Sequence, residues 1–259
     1  YFTDATLRLD YIFAGNNNEQ AIFLDCLNTS PRWYGKRQRL TELPVEGNGQ
    51  IIVRDHKSQL VIYRNSFSTL FQEWQTYDEA AGQQRSFENV FLVPMPKDTV
   101  DVTVLLRDNR RQVKSEMTHQ VVPDDILIRR IGYDKVTPYE QILTAKNPSR
   151  SINIAIVAEG YTEEEMDIFL ADCNVAMDAL FAHEPFKAKK DRFNIIAVKS
   201  PSCDSGTSEP ANGMWKNTAL SSHFNTFYQD RYLTTLHLKD LHDILAGTPY
   251  EHIIVLVNT

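Results

Sequence analysis

The chain has 259 residues, a net charge of −7 at pH 7 and an apolar fraction of 42%. This length suits one large or two ordinary domains, and this apolar fraction supports a packed core and excludes a disordered chain. The acidic balance argues against a general nucleic-acid or anionic-membrane binder, because those partners favour clustered Lys and Arg. We therefore expect no nucleic-acid partner.

The sequence carries few signs of targeting or cross-linking. No apolar run reaches the roughly 18–20 residues that a membrane-spanning helix needs, so we expect no transmembrane segment. The chain begins with Tyr1 instead of Met, which indicates a processed or trimmed product; removal of a signal peptide on secretion is one origin. Three cysteines, Cys26, Cys173 and Cys203, lack metal-type spacing. Their odd number excludes a complete disulfide framework and leaves one bridge open.

Residues 1–123 predict an antiparallel β-sandwich domain. Apolar and charged residues alternate over 7–11, the period of a half-buried strand. The segment 51–63 predicts two strands joined by a turn. A further strand meets prolines within 91–96, so we expect it to end there or to lie at a sheet edge. Aromatic residues at helical spacing between 67 and 74 predict a short helix that covers one end of the sheet.

The chain changes character in its second half. Residues 124–150 predict a connector, which includes one more strand at 126–128. Residues 151–259 alternate between strands and helices, and this alternation predicts an α/β domain with a largely parallel sheet. The predicted strands lie at 152–158, 193–198 and 253–257, and the predicted helices lie at 163–181 and 224–245.

A cleft is predicted at the carboxyl ends of the parallel strands, where ligands gather in open α/β sheets. The turn 159–162 follows the first of these strands and the loop 199–215 follows the second, so both segments should reach this edge. The alternative is that Gly160 only shapes the turn and that Thr162, with Glu165 at capping-box spacing, only caps the helix. The candidate cleft-lining residues are Glu159, Gly160, Tyr161, Asp204, Ser205, Gly206 and Thr207.

The histidines predict no metal centre within the chain. His183-Glu184 begins a His-Glu-x-x-His motif, but the second histidine position is Lys187, and the intervening proline breaks the helix that the motif requires. His237 and His242 are five residues apart and point about 140° apart around a helix, so they do not face one ion. We therefore predict no metal ligands in this chain.

The string Asp204-Ser205-Gly206-Thr207 matches the active-site loop of aspartic proteases. Those enzymes need two such aspartates that share a proton, and this chain has one copy. A turn built from Asp, Ser and Gly is the stronger interpretation. Ser205 also lacks the Gly-x-Ser-x-Gly setting of a nucleophile elbow. We predict no catalytic residue here; the aspartic-protease hypothesis ranks last and predicts binding of pepstatin-like inhibitors.

Several motifs in combination resemble the IgA-peptidase-type family of bacterial zinc metallopeptidases. The segments that resemble the first part of its catalytic domain are 154–162, 184–186, 192–195 and 202–207, and those that resemble its N-terminal β domain are 63–67, 70–74 and 88–96. The resemblance implies a zincin-like α/β fold, a protein or peptide substrate, and a location outside the cell or in the bacterial cell envelope. It also implies zinc, held by a His-Glu-x-x-His helix whose Glu acts as general base toward a zinc-bound water.

The sequence stops before that motif. Thr259 follows closely on an apolar strand, so the zincin-like domain looks interrupted and incomplete. Our leading hypothesis is a secreted zinc-dependent endopeptidase, present here without its metal-binding segment. On that hypothesis the full-length protein needs zinc, and this chain alone binds none. The alternative hypothesis is a non-catalytic cell-envelope binding protein on the same scaffold.

Overall fold

The structure is a computed structural model that describes residues 1–259 apart from Ser149. It divides into two compact units, Tyr1–Ile131 and Gly132–Thr259. The division falls inside the predicted connector, and the predicted domain limits at 123 and 151 stay predictions. None of the helices in the described residues is long and apolar enough to cross a membrane.

The first unit consists of two four-stranded sheets, as far as its described residues show. In chain order its elements are β1 (Phe2–Gly15), β2 (Gln20–Ser30), β3 (Gly49–Asp55), β4 (Val61–Phe67), α1 (Leu70–Trp74), α2 (Glu79–Gly82), β5 (Arg85–Pro96), β6 (Val100–Arg107), β7 (Val113–Val121) and β8 (Arg129–Arg130). The strand orders are β5-β1-β2-β8 and β4-β3-β6-β7. Only the short β2–β8 pair is parallel among these neighbours.

Aromatic side chains link the two sheets of the first unit. The ring of Phe13 on β1 lies 6.1 Å from that of Phe67 on β4 and 6.4 Å from that of Phe71 on α1. Phe13 and Phe71 are fully buried. Burial of such large rings contributes most to a core of this kind. The short helix predicted between 67 and 74 is therefore confirmed, and it packs against the sheet.

The strand β1 is buried on both faces, so the half-buried expectation is wrong. Between its apolar residues lie Arg8 and Asp10, which are 2% and 1% exposed. Arg8 Nε and Nη2 donate to Asp10 Oδ1 and Oδ2 at 2.7 and 2.9 Å, and Asn28 Nδ2 donates to Asp10 Oδ2 at 3.1 Å. Charged side chains can be buried when they are paired and hydrogen-bonded in this way. Alternation with charged residues did not distinguish this arrangement from a solvent-facing one.

Three other sequence predictions for this unit have clear outcomes. The two strands predicted within 51–63 pair as the antiparallel β3 and β4. The strand predicted at 91–93 continues through Pro94 and Pro96, so it does not end at the prolines. It lies at a sheet edge, which was the other expectation. The strand predicted at 126–128 is wrong. That segment is a turn in which Ile126 and Leu127 are 95% and 78% exposed, and Ile128 alone of the three is buried.

We expect His119 on β7 to titrate below the pKa of a free histidine, about 6.5. Burial lowers its pKa. Its Nε2 lies 2.6 Å from the hydroxyl of Tyr11, and burial raises the pKa of that phenol, so Tyr11 remains a donor to a neutral imidazole. As the pH falls below about 6.5, His119 binds a proton in the unfolded chain before it does so in the folded one. The free energy of unfolding of the first unit should therefore decrease in that range.

An NMR titration of the histidine ring signals measures this pKa directly. A midpoint for His119 at or above about 6.5 would contradict the expectation.

The described residues of the second unit form one mixed sheet with helices. Its elements are β9 (Tyr139–Leu143), β10 (Ile152–Glu159), α3 (Met166–Phe181), β11 (Phe193–Val198), α4 (Leu238–Ile244) and β12 (His252–Val257). The strand order is β12-β10-β11-β9, and β10 is parallel to both of its neighbours. The three predicted strands are thus confirmed. The antiparallel β9 was not predicted, because its sequence lay within the supposed connector.

The helix α3 begins as the sequence predicts. A single 3-10 turn over Glu163–Glu165 precedes it, and the N–H of Thr162 donates to Glu165 Oε2 at 2.9 Å within a capping box. The face of α3 toward the sheet is apolar, as its spacing indicated. Its buried side chains are Met166, Phe169, Cys173, Met177 and Phe181.

The long helix predicted at 224–245 is wrong over most of its length. Only Thr226–Tyr228, as a 3-10 turn, and α4 are helical. The Oγ1 atoms of Thr226 and Thr234 are 2.7 Å apart, and His223 and Thr234 form an isolated bridge. His223 and Thr234 exchange main-chain N–H···O bonds at 3.1 and 3.2 Å, a pairing that a continuous helix would not allow. The apolar positions that motivated the prediction cover only the last two turns.

Candidate functional site

The carboxyl ends of β10, β11 and β12 bring the predicted site segments together. The strands are parallel, so the turn after β10 and the loop after β11 leave the sheet at the same edge. The N–H of Gly206 donates to Gly160 O at 2.8 Å, and the N–H of Ser202 donates to Tyr161 O at 2.7 Å. Main-chain bonds therefore join the turn to the loop.

Glu159, the last residue of β10, is fully buried. Its Oε1 accepts from Thr218 Oγ1 at 2.6 Å and from the N–H of Ser222 at 2.8 Å, and its Oε2 accepts from the N–H of Leu220 at 2.8 Å. A charged acceptor makes each of these bonds stronger than a neutral one would be. Glu159 therefore fixes the segment 218–222 from inside, and it does not reach the surface of a cleft.

Gly160 and Gly206 approach each other more closely than residues with a Cβ could. Their φ angles are +75° and +83°, in the left-handed region that favours glycine. A Cβ on Gly160 would lie 2.6 Å from Gly206 O. The turn and the close contact thus both require glycine at these two positions. This agrees with the alternative in which Gly160 shapes the turn.

Asp204 and Ser205 are the exposed members of the predicted set. Asp204 Oδ2 accepts from the N–H of Asn217 at 2.7 Å, and Ser205 Oγ donates to Glu165 Oε1 at 2.8 Å. The ammonium group of Lys216 donates to Ser205 O. Hydrogen bonds from the Thr162 N–H and the Ser205 hydroxyl hold the pKa of Glu165 below its usual range, with Lys216 contributing. These bonds fix the exposed loop on the start of α3.

Tyr161 and Thr207 lie beneath this surface, 3% and 4% exposed. The Tyr161 hydroxyl donates to Asp172 Oδ2 at 2.8 Å, and burial raises the pKa of the phenol. The Thr207 hydroxyl donates to Ser222 O at 3.0 Å. Both residues therefore support the loop from below, while Asp204 and Ser205 face solvent above it.

Two residues at this edge were missed by sequence reasoning. Asn258 directly follows β12, and its N–H and side-chain amide donate to Glu159 O at 2.9 Å and to Gly160 O at 3.1 Å. Asn258 could have been predicted from the sequence because it directly follows a strand that was predicted to be parallel. Trp215 is 70% exposed, and its ring lies 5.9 Å from that of His223. We name Asp204, Ser205, Gly206 and Trp215 the carboxyl-edge rim.

The described residues do not fit a metal centre. No three His, Cys, Asp or Glu side chains among them come together in a group that could hold a metal ion. The thiols of Cys26, Cys173 and Cys203 are free, and burial raises the pKa of Cys173 to about 12. His242 Nδ1 lies 2.9 Å from the hydroxyl of Tyr250. The carboxyl-edge rim offers hydroxyl, carboxylate, main-chain and aromatic groups, which suit binding.

Family comparison gives one match in each compact unit. The model described as Peptidase M64 N-terminus matches residues 1–118, and the model described as IgA Peptidase M64 matches residues 141–259. The comparison with curated proteins gave no match. The two matches follow each other in the same order as the two units.

Proposed function

The chain belongs to the IgA-peptidase-type family M64, and from this premise we propose that it carries the N-terminal domain and the first part of the catalytic domain of a secreted zinc-dependent endopeptidase. The observation that carries the proposal is the pair of matches, one in each compact unit. The proposal also assigns a fold to each unit: a β-sandwich to the first unit and part of a zincin-like domain to the second. A bacterial origin and a location outside the cell or in its envelope also belong to it.

In this proposal the carboxyl-edge rim binds the polypeptide substrate. Ligands bind at the carboxyl ends of strands in open α/β sheets, and this rim lies there. Its loop residues are held by main-chain and side-chain hydrogen bonds to Gly160, Asn217 and Glu165. A rim that is held in place loses little conformational entropy on binding, so more of the interaction energy contributes to affinity.

Zinc enters the proposal only through the family. The resemblance implies a His-Glu-x-x-His helix, a motif that residues 1–259 do not contain. Since the described residues do not fit a metal centre either, we assign them no step of the hydrolysis. When bound, zinc would activate the attacking water. We propose zinc dependence for a full-length protein that carries the motif.

The decisive experiment uses the protein from its complete reading frame. Zinc per chain is measured by elemental analysis, and cleavage of fluorescently labelled casein is followed with and without 1,10-phenanthroline. We expect the chelator to abolish cleavage and added zinc to restore it. The matched control is His183→Gln, which removes the exposed half-motif histidine and should leave both zinc content and cleavage unchanged.

The opposite results are equally clear. A full-length protein that holds no zinc and cleaves nothing would contradict the proposal and favour the non-catalytic envelope-binding alternative. Inhibition by pepstatin, with no effect of the chelator, would instead favour the aspartic-protease hypothesis through Asp204.

We expect Trp215→Ala to raise KM about tenfold with little change in kcat. Covering roughly 50 Å² of the indole by substrate would contribute about 1.3 kcal/mol at about 25 cal/mol per Å². The measurement is steady-state cleavage of a peptide substrate by the full-length protein. Phe23→Ala, which removes a 54% exposed ring from β2 in the first unit, is the control. Equal effects of the two substitutions would show that Trp215 does not contact the substrate.

A further inference from the structure

A square of four side chains occupies one face of the β3–β4 hairpin. In the antiparallel register Ile52 lies opposite Arg64, and Arg54 lies opposite Val61. Ile52 and Arg54 are two residues apart, so they project on the same side of the sheet. The two arginines stand diagonally across this square, a spacing within reach of long side chains. Two guanidinium groups and two apolar side chains thus share one surface.

The segment before β3 closes this surface into a cavity. The N–H of Arg64 donates to Leu40 O at 2.9 Å, which fixes the neighbouring Thr41 beside the hairpin. The resulting cavity has a volume of about 370 Å³, and all of its lining lies in the first unit. Its lining residues are Thr41, Ile52, Arg54, Val61 and Arg64. This size suits one small molecule or one unit of a polymer.

The guanidinium of Arg64 has unused hydrogen-bonding capacity. Its Nη2 donates to Gln50 Oε1 at 3.1 Å, but its buried Nε has no hydrogen-bond partner among the described residues. Arg54 Nη1 makes one long contact, 3.4 Å, to Thr103 Oγ1. The Arg64 Nε is covered by protein, so a ligand in the cavity would meet the outer nitrogens of the two guanidinium groups instead.

The carboxylates near the cavity bind other partners. Asp101 lies opposite Arg54 on β6, but its oxygens are 3.0 Å from His56 Nδ1, and Oδ2 also accepts from Gln59 Nε2 at 2.8 Å. Glu42, close to Thr41 in sequence, lies 3.7 Å from the guanidinium of Arg39. Asp101 still interacts electrostatically with Arg54, so its charge offsets part of the positive charge at the cavity.

A third cation strengthens this field. The ammonium group of Lys36 donates to Arg64 O at 2.6 Å and to Glu42 O at 3.1 Å, so it lies on main-chain oxygens beside the cavity. A positive, partly enclosed surface of this kind attracts anions, even in a chain with a net charge of −7.

We propose that this cavity binds an oxyanion, a carboxylate or a phosphate, carried by a small ligand whose apolar part contacts Ile52 and Val61. Guanidinium groups match both anions through paired N–H donors. The Thr41 hydroxyl supplies a further donor at the opening. Arg54 and Arg64 both line the cavity, so an anion there would meet both guanidinium groups. This site lies within the first unit and does not depend on the proposed peptidase activity.

The test is an NMR titration of the arginine Nε–H signals in the whole chain. The probes are acetate, inorganic phosphate and glucuronate, each compared with chloride at equal ionic strength. We expect a saturable shift of the Arg64 signal, with a dissociation constant of about 1 mM or below, for at least one probe. Saturation by acetate or glucuronate alone would identify a carboxylate site, and saturation by phosphate alone would identify a phosphate site.

Four variants make the result decisive. Arg54→Gln and Arg64→Gln should each weaken binding about tenfold or more. Arg64→Lys should weaken it too, because it keeps the positive charge but loses the paired N–H donors of the guanidinium group. Arg110→Gln removes an exposed charge outside the cavity and should leave binding unchanged. The backbone spectrum reports folding, and Arg54→Gln stands in should Arg64→Gln unfold. The absence of saturation with every probe, or equal losses with Arg110→Gln, would overturn the proposal.

Discussion

Glu159→Ala is expected to lower the free energy of unfolding of the second unit by about 4 kcal/mol. The substitution removes the acceptor of two main-chain N–H groups, of Leu220 and Ser222, and of the Thr218 hydroxyl. All three residues are buried, so water cannot replace the lost oxygens at once. Each orphaned donor costs about 1–3 kcal/mol. A loss of about 4 kcal/mol is a quarter or more of the roughly 5–15 kcal/mol that stabilise a typical domain.

Calorimetric unfolding and amide hydrogen exchange measure this effect. The exchange protection of the Leu220 and Ser222 amides should fall more than that of the amides in β10. Glu159→Gln should also destabilise, because its NH2 group would face at least one N–H donor. Glu163→Gln, at an exposed glutamate four residues away, is the matched control and should change stability little. A Glu159→Ala protein with unchanged protection of Leu220 would contradict this assignment.

Gly160→Ala is expected to destabilise the second unit by about 3 kcal/mol. The left-handed backbone at φ +75° costs an L-residue about 1–2 kcal/mol. The new Cβ would also lie 2.6 Å from Gly206 O, so the loop must shift and stretch the Gly206–Gly160 hydrogen bond. Overpacking of this kind adds about 1–3 kcal/mol.

Gly213→Ala separates the two contributions to this loss. Gly213 has a similar φ, +67°, but a Cβ there would meet nothing within 4 Å. We therefore expect it to lose only about 1–2 kcal/mol, from the backbone alone. Thermal unfolding of both variants gives the comparison. Equal losses would mean that the contact between Gly160 and Gly206 carries no cost.

The parallel strands β10, β11 and β12 and the helix α3 could be predicted because local pattern decides them. The β-branched runs that became β10 and β12 are strongly apolar, although only β10 is buried along most of its length, and the apolar face of α3 repeats at helical spacing. The position of the candidate site followed from the same pattern. Once parallel strands are assigned, the residues that follow them must share an edge.

The missed features depend on contacts between distant residues. Whether Glu159 is buried depends on hydrogen-bond donors some 60 positions later in the chain. No local pattern therefore distinguishes a buried, hydrogen-bonded carboxylate from one on the surface. The burial of Asp10, against the solvent-facing expectation, likewise involves a donor 18 positions later, the side-chain amide of Asn28. The oxyanion cavity arises from strand register and from the segment at Thr41, neither of which a single sequence specifies.

The prolines of β5 affect how this protein behaves when it is concentrated. Pro94 and Pro96 lie two residues apart on the outer strand of a sheet, so the N–H groups they lack would point the same way. A strand proline is tolerated where that direction is away from the neighbouring strand. The open side of β5 therefore lacks two successive donors that a strand from another molecule would need, and this sheet should resist growth into aggregates.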